Sequence, residues 1–396
     1  MINVINNLST VVVLGTDHYN AIGIVQCLGC QGVDVYVVMR GKKKDSLIAS
    51  SSYLKGIYEA DSFNQAIDII ETNFVNETPA IIIPTGDEAA LILEQNADRL
   101  KGKFLFQHSS ITHPISKIMN KQVQTELASE CGFEVPQSVE VSSVQKLNNS
   151  IEFPCIIKPL LSCEGDKGDI SIANSKSELK EKVSDILTHT PRVLIQHFIG
   201  MGSKTTELNI LGCGLTSGDA IIPLCINKVK TYPTGKGSTS IGKVVHFTED
   251  QQSIIESTKK LIEKIKYVGL FSIELLYEHT TKRTYFIEMN LRNDATNIFL
   301  VKAGANLPYI HVMDLMGQMV PQYKLSEKEM TMICDPIHLY SLLHGEISIK
   351  EWMKDVINAD SFILYDSHDK RIFFLQFYYM LKRKLTKVLS RSRRTK

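Results

Sequence analysis

Phe271-Ser272-Ile273-Glu274-Leu275-Leu276-Tyr277-Glu278 and Tyr285-Phe286-Ile287-Glu288-Met289-Asn290-Leu291-Arg292 are the stretches on which the fold turns. Both read as strands, and the polar run His279 to Arg283 between them reads as a hairpin. Period-2 alternation puts Glu274 on one face of its strand and Glu288 with Asn290 on one face of the next. Arg292, two residues on, is expected on that face too, where it can stabilise developing negative charge. Carboxylates away from water need a partner. Two carboxylates and an amide oxygen facing one cleft make a hard, oxygen-only site, which suits Mg²⁺ or Mn²⁺ when phosphates supply the remaining ligands. The alternative is two solvated acids on an edge strand.

Working outward, five upstream stretches bear on that choice. Asn120-Lys121 opens a helical segment. Ile156-Ile157-Lys158-Pro159 is an apolar strand ending in a lysine. Ser162 to Gly168 holds Gly165 and Gly168, whose backbone N–H groups can approach anions. Leu194-Ile195-Gln196-His197-Phe198-Ile199-Gly200 is another apolar strand with a polar insert, and Glu207 follows it. In this order, ending in E-x-N-x-R, they resemble the ATP-grasp superfamily over roughly residues 10 to 320. The single copy looks most like the carboxylate–amine ligases, D-aspartate ligases among them, and is similar to the large chain of carbamoyl-phosphate synthase.

The resemblance implies an α/β fold. Two α+β subdomains grip ATP, preceded by a doubly wound parallel α/β domain. The expected divisions are 1–115 for the preceding domain, 116–190 for the small subdomain, 191–325 for the large subdomain with the metal site, and 326–396 for a C-terminal extension. It also implies roles. Lys121 and Lys158 meet ATP phosphates, with Gly165 and Gly168 in the covering loop. Gln196, Phe198 and Ile199 hold adenine, although the family usually has an acid where Gln196 stands. Glu207 binds ribose, and Glu274, Glu288 and Asn290 hold the metal. Arg292 steadies an acyl phosphate. Asn227-Lys228-Val229-Lys230-Thr231-Tyr232-Pro233-Thr234-Gly235-Lys236-Gly237 resembles a substrate loop, with Lys228 near the transferred phosphate or the carboxylate. Its Gly235-Lys236-Gly237 is not a P-loop, because Ser or Thr does not follow the Lys.

The implied activity joins a carboxylate to an amine at the expense of ATP. Bicarbonate phosphorylation is a second enzyme reading, and a nucleotide sensor or scaffold is a third from another class. The single copy, with no biotin-carrier segment in view, lowers the second, and the intact lysines and the Glu/Glu/Asn/Arg set argue against the third.

Composition narrows the classes. The 396 residues are 43% hydrophobic and 22% charged with a net charge of +1, ample for a core and without a nucleic-acid footprint. The scattered cysteines fit a reducing, cytoplasmic setting. Cys27 and Cys30 form a C-x-x-C without a second ligand pair, so packing in a buried helix is the plainer reading. The N-terminus has no basic region before an apolar run, and no stretch reaches the roughly 20 apolar residues of a membrane span.

The first hundred residues alternate strand and helix, with strands Thr10 to Gly15, Asp34 to Val38 and Ala80 to Ile83. Helices are expected at Asp17 to Leu28, Phe63 to Phe74 and Asp87 to Leu100, the last N-capped by Thr85 or Asp87. Gly15-Thr16-Asp17 lacks the full G-x-G-x-x-G, which excludes a dinucleotide fingerprint. At the other end, Arg371 to Leu381 is apolar and aromatic and runs into a basic tail with no acid after Asp369. Such a helix suits the anionic inner face of a membrane, and the alternatives are a helix docked on the domain core and a solvated basic tail. A glycan or lipid-linked acceptor follows as conjecture from the tail, and a homodimer is expected from the family.

Overall fold

The computed structural model describes residues 9–44, 46–147, 151–161, 169–199, 204–234 and 237–394, with side chains to residue 382. The chain packs as two compact units. One comprises residues 1–107, 228–246 and 292–396, and the other residues 108–227 and 247–291.

The first unit opens with a five-stranded parallel sheet. Its order is Leu54–Ala60, Val35–Arg40, Val11–Gly15, Ala80–Pro84 and Phe104–Phe106. Val11–Gly15 and Ala80–Pro84 are buried along their whole length, as parallel strands covered on both faces must be. One face packs on Ile67, Ile70 and Phe74 of helix Phe63–Phe74. The strand order reverses between Val11–Gly15 and Ala80–Pro84, which makes their carboxyl ends a topological switch point. Gly15 ends the first of these strands because a Cβ there would lie 2.1 Å from Thr85 Oγ1.

Helix boundaries in this unit depart from expectation for identifiable reasons. The first helix is Tyr19–Gly29, capped by the His18 ring accepting from Asn20 N. Asp17 stays outside it, because its carboxylate accepts from the amides of Leu47 and Ile48 and from Ser46 Oγ. Asp87–Gln95 breaks before a separate turn, Ala97–Leu100. Neither Thr85 nor Asp87 is the N-cap. Gly86 is, and Asp87 stands in the first turn. The Lys228 stretch is a correction as well. It is not a loop but part of strand Cys225–Tyr232, followed by strand Ser238–Val245.

The second unit holds two antiparallel sheets. The smaller has the order Ser138–Val141, Val193–His197, Cys155–Pro159 and Ser171–Ala173. Its inner face, with Cys155, Ile157 and Ile195, packs on Leu179, Val183 and Ile186 of helix Lys176–Ile186. In the larger, Thr205–Gly214 lies between residues 225–227 and Gly269–Glu278, and Arg283–Asn290 completes the edge. Gly212 is needed because the Phe271 ring of the neighbouring strand lies over it, where a Cβ would come within 2.2 Å.

Candidate functional site

The register of the larger sheet builds the site. Glu274 pairs directly with Glu288, and Ser272 with Asn290. Directly opposed residues share a face with Cβ atoms about 4.5–5.5 Å apart, so both carboxylates and the amide stand on one surface. The register slips just past Glu274, where Ile287 is the extra residue. A bulge at that point re-aims the side chains beside it. Asn290 is buried and its Nδ2 faces Ser272 Oγ at 3.4 Å. That fixes the amide nitrogen and leaves the oxygen as the donor atom for a cation.

Across the other edge of Gly269–Glu278, Asn209 pairs with Glu274 and Glu207 with Leu276. Glu207 and Asn209 therefore lie on the same face as Glu274. Asn209, 3% exposed, was not anticipated. The signal was there, since Glu207-Leu208-Asn209 repeats the E-x-N spacing of Glu288-Met289-Asn290.

The smaller sheet contributes cations. Ile156 pairs with Gln196 and Lys158 with Leu194. Lys158 and Gln196 thus share the face opposite the helix-covered core. The Lys158 ammonium donates to Gln196 Oε1 at 3.1 Å. Both side chains are buried. Lys121 opens helix Lys121–Glu130, N-capped by Asn120 Oδ1, which accepts from Gln122 N and Val123 N. Its backbone N–H donates to Leu160 O at 3.1 Å, which ties the helix start to the end of the Lys158 strand.

Electrostatics show what these elements face. Burial pulls the Lys158 ammonium below the ordinary lysine range. Glu288, Glu274 and Glu207 push it back up, and Lys121 pulls it down further. Four charged side chains from four elements act on one nitrogen. Among the described residues no three His, Cys, Asp or Glu side chains form a metal cluster. A cation on Glu274, Glu288 and Asn290 must take its other ligands from elsewhere. The donor set fits Mg²⁺, which binds through one or two carboxylates together with phosphate oxygens.

Phe198 and Ile199 follow the end of strand Val193–His197 and are half-buried. Gly165 and Gly168 lie outside the described residues. Lys228 and Arg292 fall in the first unit. Arg292 does not extend the Glu288 face, because the strand ends at Asn290. Its Nε donates to Asp87 Oδ1 at 2.9 Å, and Asp294 Oδ2 lies 3.7 Å from its Nη1. Asn20 Nδ2 donates to both Thr85 O and Asn293 O at 2.8 Å, so this segment is held at the switch point of the parallel sheet. Nothing in the sequence announced Asp87 as the partner of a residue 205 positions away.

Residues 119–298 match the family described as carbamoyl-phosphate synthase L chain, ATP binding domain. The chain is 21% identical to the C-terminal section of the carbamoyl phosphate synthase large chain of Methanopyrus kandleri, over 67% of this chain and 48% of that protein. It is 21% identical to the D-aspartate ligase of Enterococcus faecium, over 57% of this chain and 56% of that one. Among solved structures, biotin carboxylase from Campylobacter jejuni, in complex with an ATP analogue, superimposes with a TM-score of 0.65 at 15% identity. It covers 81% of this chain and 74% of that chain. The chain spans about half the length of the curated relatives it matches.

Proposed function

We propose, from the premise that this chain belongs to the ATP-grasp superfamily, that it joins a carboxylate to an amine through an acyl phosphate, consuming ATP. The observation that carries this is the convergence of Glu207, Glu274, Glu288 and Lys121 on the buried Lys158. Phosphoryl transfer needs positioning and charge neutralisation more than covalent help, and this constellation supplies both.

In this reading Lys121 and Lys158 act as point charges on the phosphates. Gln196, Phe198 and Ile199 border the adenine, and Glu207 takes the ribose hydroxyls. The Gln196 oxygen already accepts from Lys158, so its amide N–H groups remain to donate to the base. Glu274, Glu288 and Asn290 hold Mg²⁺, which when bound neutralises phosphate charge. Arg292 and Lys228 stabilise the acyl phosphate, with Asp87 orienting the guanidinium. Gly165 and Gly168 belong to the covering loop that keeps water from the intermediate. The amine attacks the acyl carbon and inorganic phosphate leaves.

The similarity to a carbamoyl-phosphate synthase domain favours a second reading, in which bicarbonate is the group phosphorylated. As a finer part of the first, the acceptor is a glycan or lipid-linked precursor reached from an anionic membrane surface. No described helix is long and apolar enough to cross a membrane. The last helix, Lys370–Arg394, buries Ile372 and Met380 and exposes Phe374, Tyr378 and Leu381. The neighbouring helix Ile349–Ile357 exposes Ile349, Met353 and Ile357 at successive four-residue intervals. The last helix runs on into a sequence rich in lysine and arginine with no acid after Asp369. That combination suits an anionic lipid surface.

The test is Mg²⁺-dependent ADP and phosphate release across amino acids and uronic acids, with hydroxylamine as a generic amine. Hydroxamate formed from one carboxylate supports the ligase. ATP consumed only with bicarbonate transfers the assignment to the second reading. Tight ATP binding with no turnover on any acceptor sinks both.

A further inference from the structure

The hydrogen bond from Lys158 sets what Gln196 can offer a ligand. Gln196 stands on an inner strand of the smaller sheet, paired with Ser138 on one side and Ile156 on the other. The chain just past it is tied down as well. His197 N donates to Gln137 O at 2.9 Å, and Phe198 N to Pro154 O at 2.8 Å. The Gln196 backbone is therefore fixed from both sides, and the residue is 3% exposed.

An ammonium carries donors and no acceptor. The Gln196 amide therefore turns its oxygen to Lys158 Nζ, 3.1 Å away, and its nitrogen away from it. Among the described residues Gln196 Oε1 is the one hydrogen-bond acceptor that this ammonium has, and nothing accepts from Gln196 Nε2. Turning the amide over would set N–H groups against the ammonium. Both side chains are buried, so the donors left unpaired would be costly. With its oxygen held in this way, Gln196 meets a ligand as a donor.

A glutamine with both ends free reads adenine. Its oxygen accepts from the 6-amino group while its nitrogen donates to N7. Here the oxygen already serves Lys158. Its second lone pair remains, but an amino group approaching it meets the positive charge of the ammonium. Hypoxanthine and guanine place a carbonyl oxygen, O6, where adenine has the amino group. That oxygen beside N7 gives two acceptors in a row, the pattern that cationic and donor-only groups read. The Gln196 N–H groups and the Lys158 charge both favour it.

We propose that the base subsite favours a 6-oxopurine nucleotide over an adenine nucleotide, with Gln196 as the residue that discriminates and Lys158 as the group that fixes its amide. This rests on the reading above that Gln196 borders the base. ATP is then the weaker of two nucleotide substrates.

Calorimetric titration of the full chain with the magnesium complexes of IDP and ADP tests it. The two differ only in the 6-substituent and the proton on N1, and neither needs turnover to be read. IDP is expected to bind at least about tenfold tighter. Gln196→Glu keeps an acceptor for Lys158 and adds a second for an amino group, so the preference should reverse to ADP. Gln196→Leu removes the amide and should lose most of the discrimination. Equal affinities in the wild type, or tighter ADP, overturn the proposal and leave the nucleotide reading intact. So does a folded Gln196→Glu that keeps the wild-type preference. Binding of neither diphosphate refutes the nucleotide reading itself, and the proposal falls with it.

Discussion

The side-chain amide of Gln124 pairs with the backbone of Met289 as a neighbouring strand would. Its Nε2 donates to Met289 O at 2.8 Å, and its Oε1 accepts from Met289 N at 2.9 Å. Met289 lies between two of the proposed metal ligands, Glu288 and Asn290, on the edge strand of its sheet. The backbone of Glu134 pairs with the same edge at Thr284 and Phe286. Gln124→Leu keeps the size but leaves a buried N–H and a buried carbonyl unpaired. We expect about 2–6 kcal/mol of lost stability, from about 1–3 kcal/mol for each of the two orphaned groups. Loss of Mg²⁺-dependent turnover should exceed that of a surface substitution with a matched melting temperature. A Gln124→Leu protein with unchanged melting temperature and metal dependence removes Gln124 from this role.

Gln196 sets the environment of Lys158. Burial is the largest influence on that lysine, and it depresses the ammonium's pKa. For a base the sign runs one way. The unfolded chain binds the proton more tightly, so the burial penalty is fully present below the folded pKa and is relieved as pH rises toward about 10.4. Gln196→Glu places a negative neighbour on the Nζ and draws the folded pKa back up. The variant should gain about 1–3 kcal/mol near pH 7, and the gain should shrink as pH rises toward 10. Thermal unfolding of both proteins across that range decides it, and a difference independent of pH would refute the coupling.

Glu288 is the strongest of the acids acting on Lys158 and a proposed metal ligand. Glu288→Gln is isosteric and keeps the pairing with Glu274. ATP turnover should fall about 100–1,000-fold while the melting temperature stays close to that of the wild type. Retained turnover in a steady-state ADP-release assay would show that the metal, if bound, is held elsewhere.

Much of this site was legible because a strand's period is strict. Alternation puts Glu288 and Asn290 on one face, the cross-strand register brings Glu274 to it, and the apolar run into Lys158 foretold its burial. What the sequence hid was non-local. The Arg292–Asp87 pair joins the segment past a strand's end to a helix's first turn, and no local pattern marks either end. Gln124 looked like any polar residue on an amphipathic helix. The basic Lys228 stretch looked like a loop, yet it is a strand, because its β-branched and aromatic residues alternate with its lysines. One side of the last helix docks through Ile372 and Met380, and the other stays exposed.

That exposed side carries a prediction. If Phe374 and Tyr378 enter the headgroup layer, Phe374→Glu with Tyr378→Glu should strip the protein from anionic vesicles at physiological salt and leave its melting temperature nearly unchanged. Basic residues near such a surface contribute about 1 kcal/mol each, so wild-type binding should also weaken as salt rises. Co-sedimentation with phosphatidylserine-containing and neutral vesicles measures both. Equal binding of wild type and double variant would assign these rings to another surface.

Asp335, at the start of helix Asp335–Leu343, gives a pH signature of its own. Burial pushes its carboxyl up to about 6. An acid whose folded pKa is raised stabilises the fold most fully below its unfolded pKa, about 3.9, and that contribution is lost as pH climbs through about 6. Two units correspond to about 3 kcal/mol at most. Lys302 and Cys334 are the titratable groups that act on it, and the Lys302 ammonium bonds the carbonyls of Phe362 and Tyr365 rather than the carboxylate. Asn does not titrate, so wild type minus Asp335→Asn isolates the effect from the acid sensitivity of the rest of the chain. That difference should fall by up to about 3 kcal/mol between pH 4 and pH 7. Denaturant unfolding at four or five pH values measures it. A difference that stays flat would mean the carboxylate is already compensated by its surroundings.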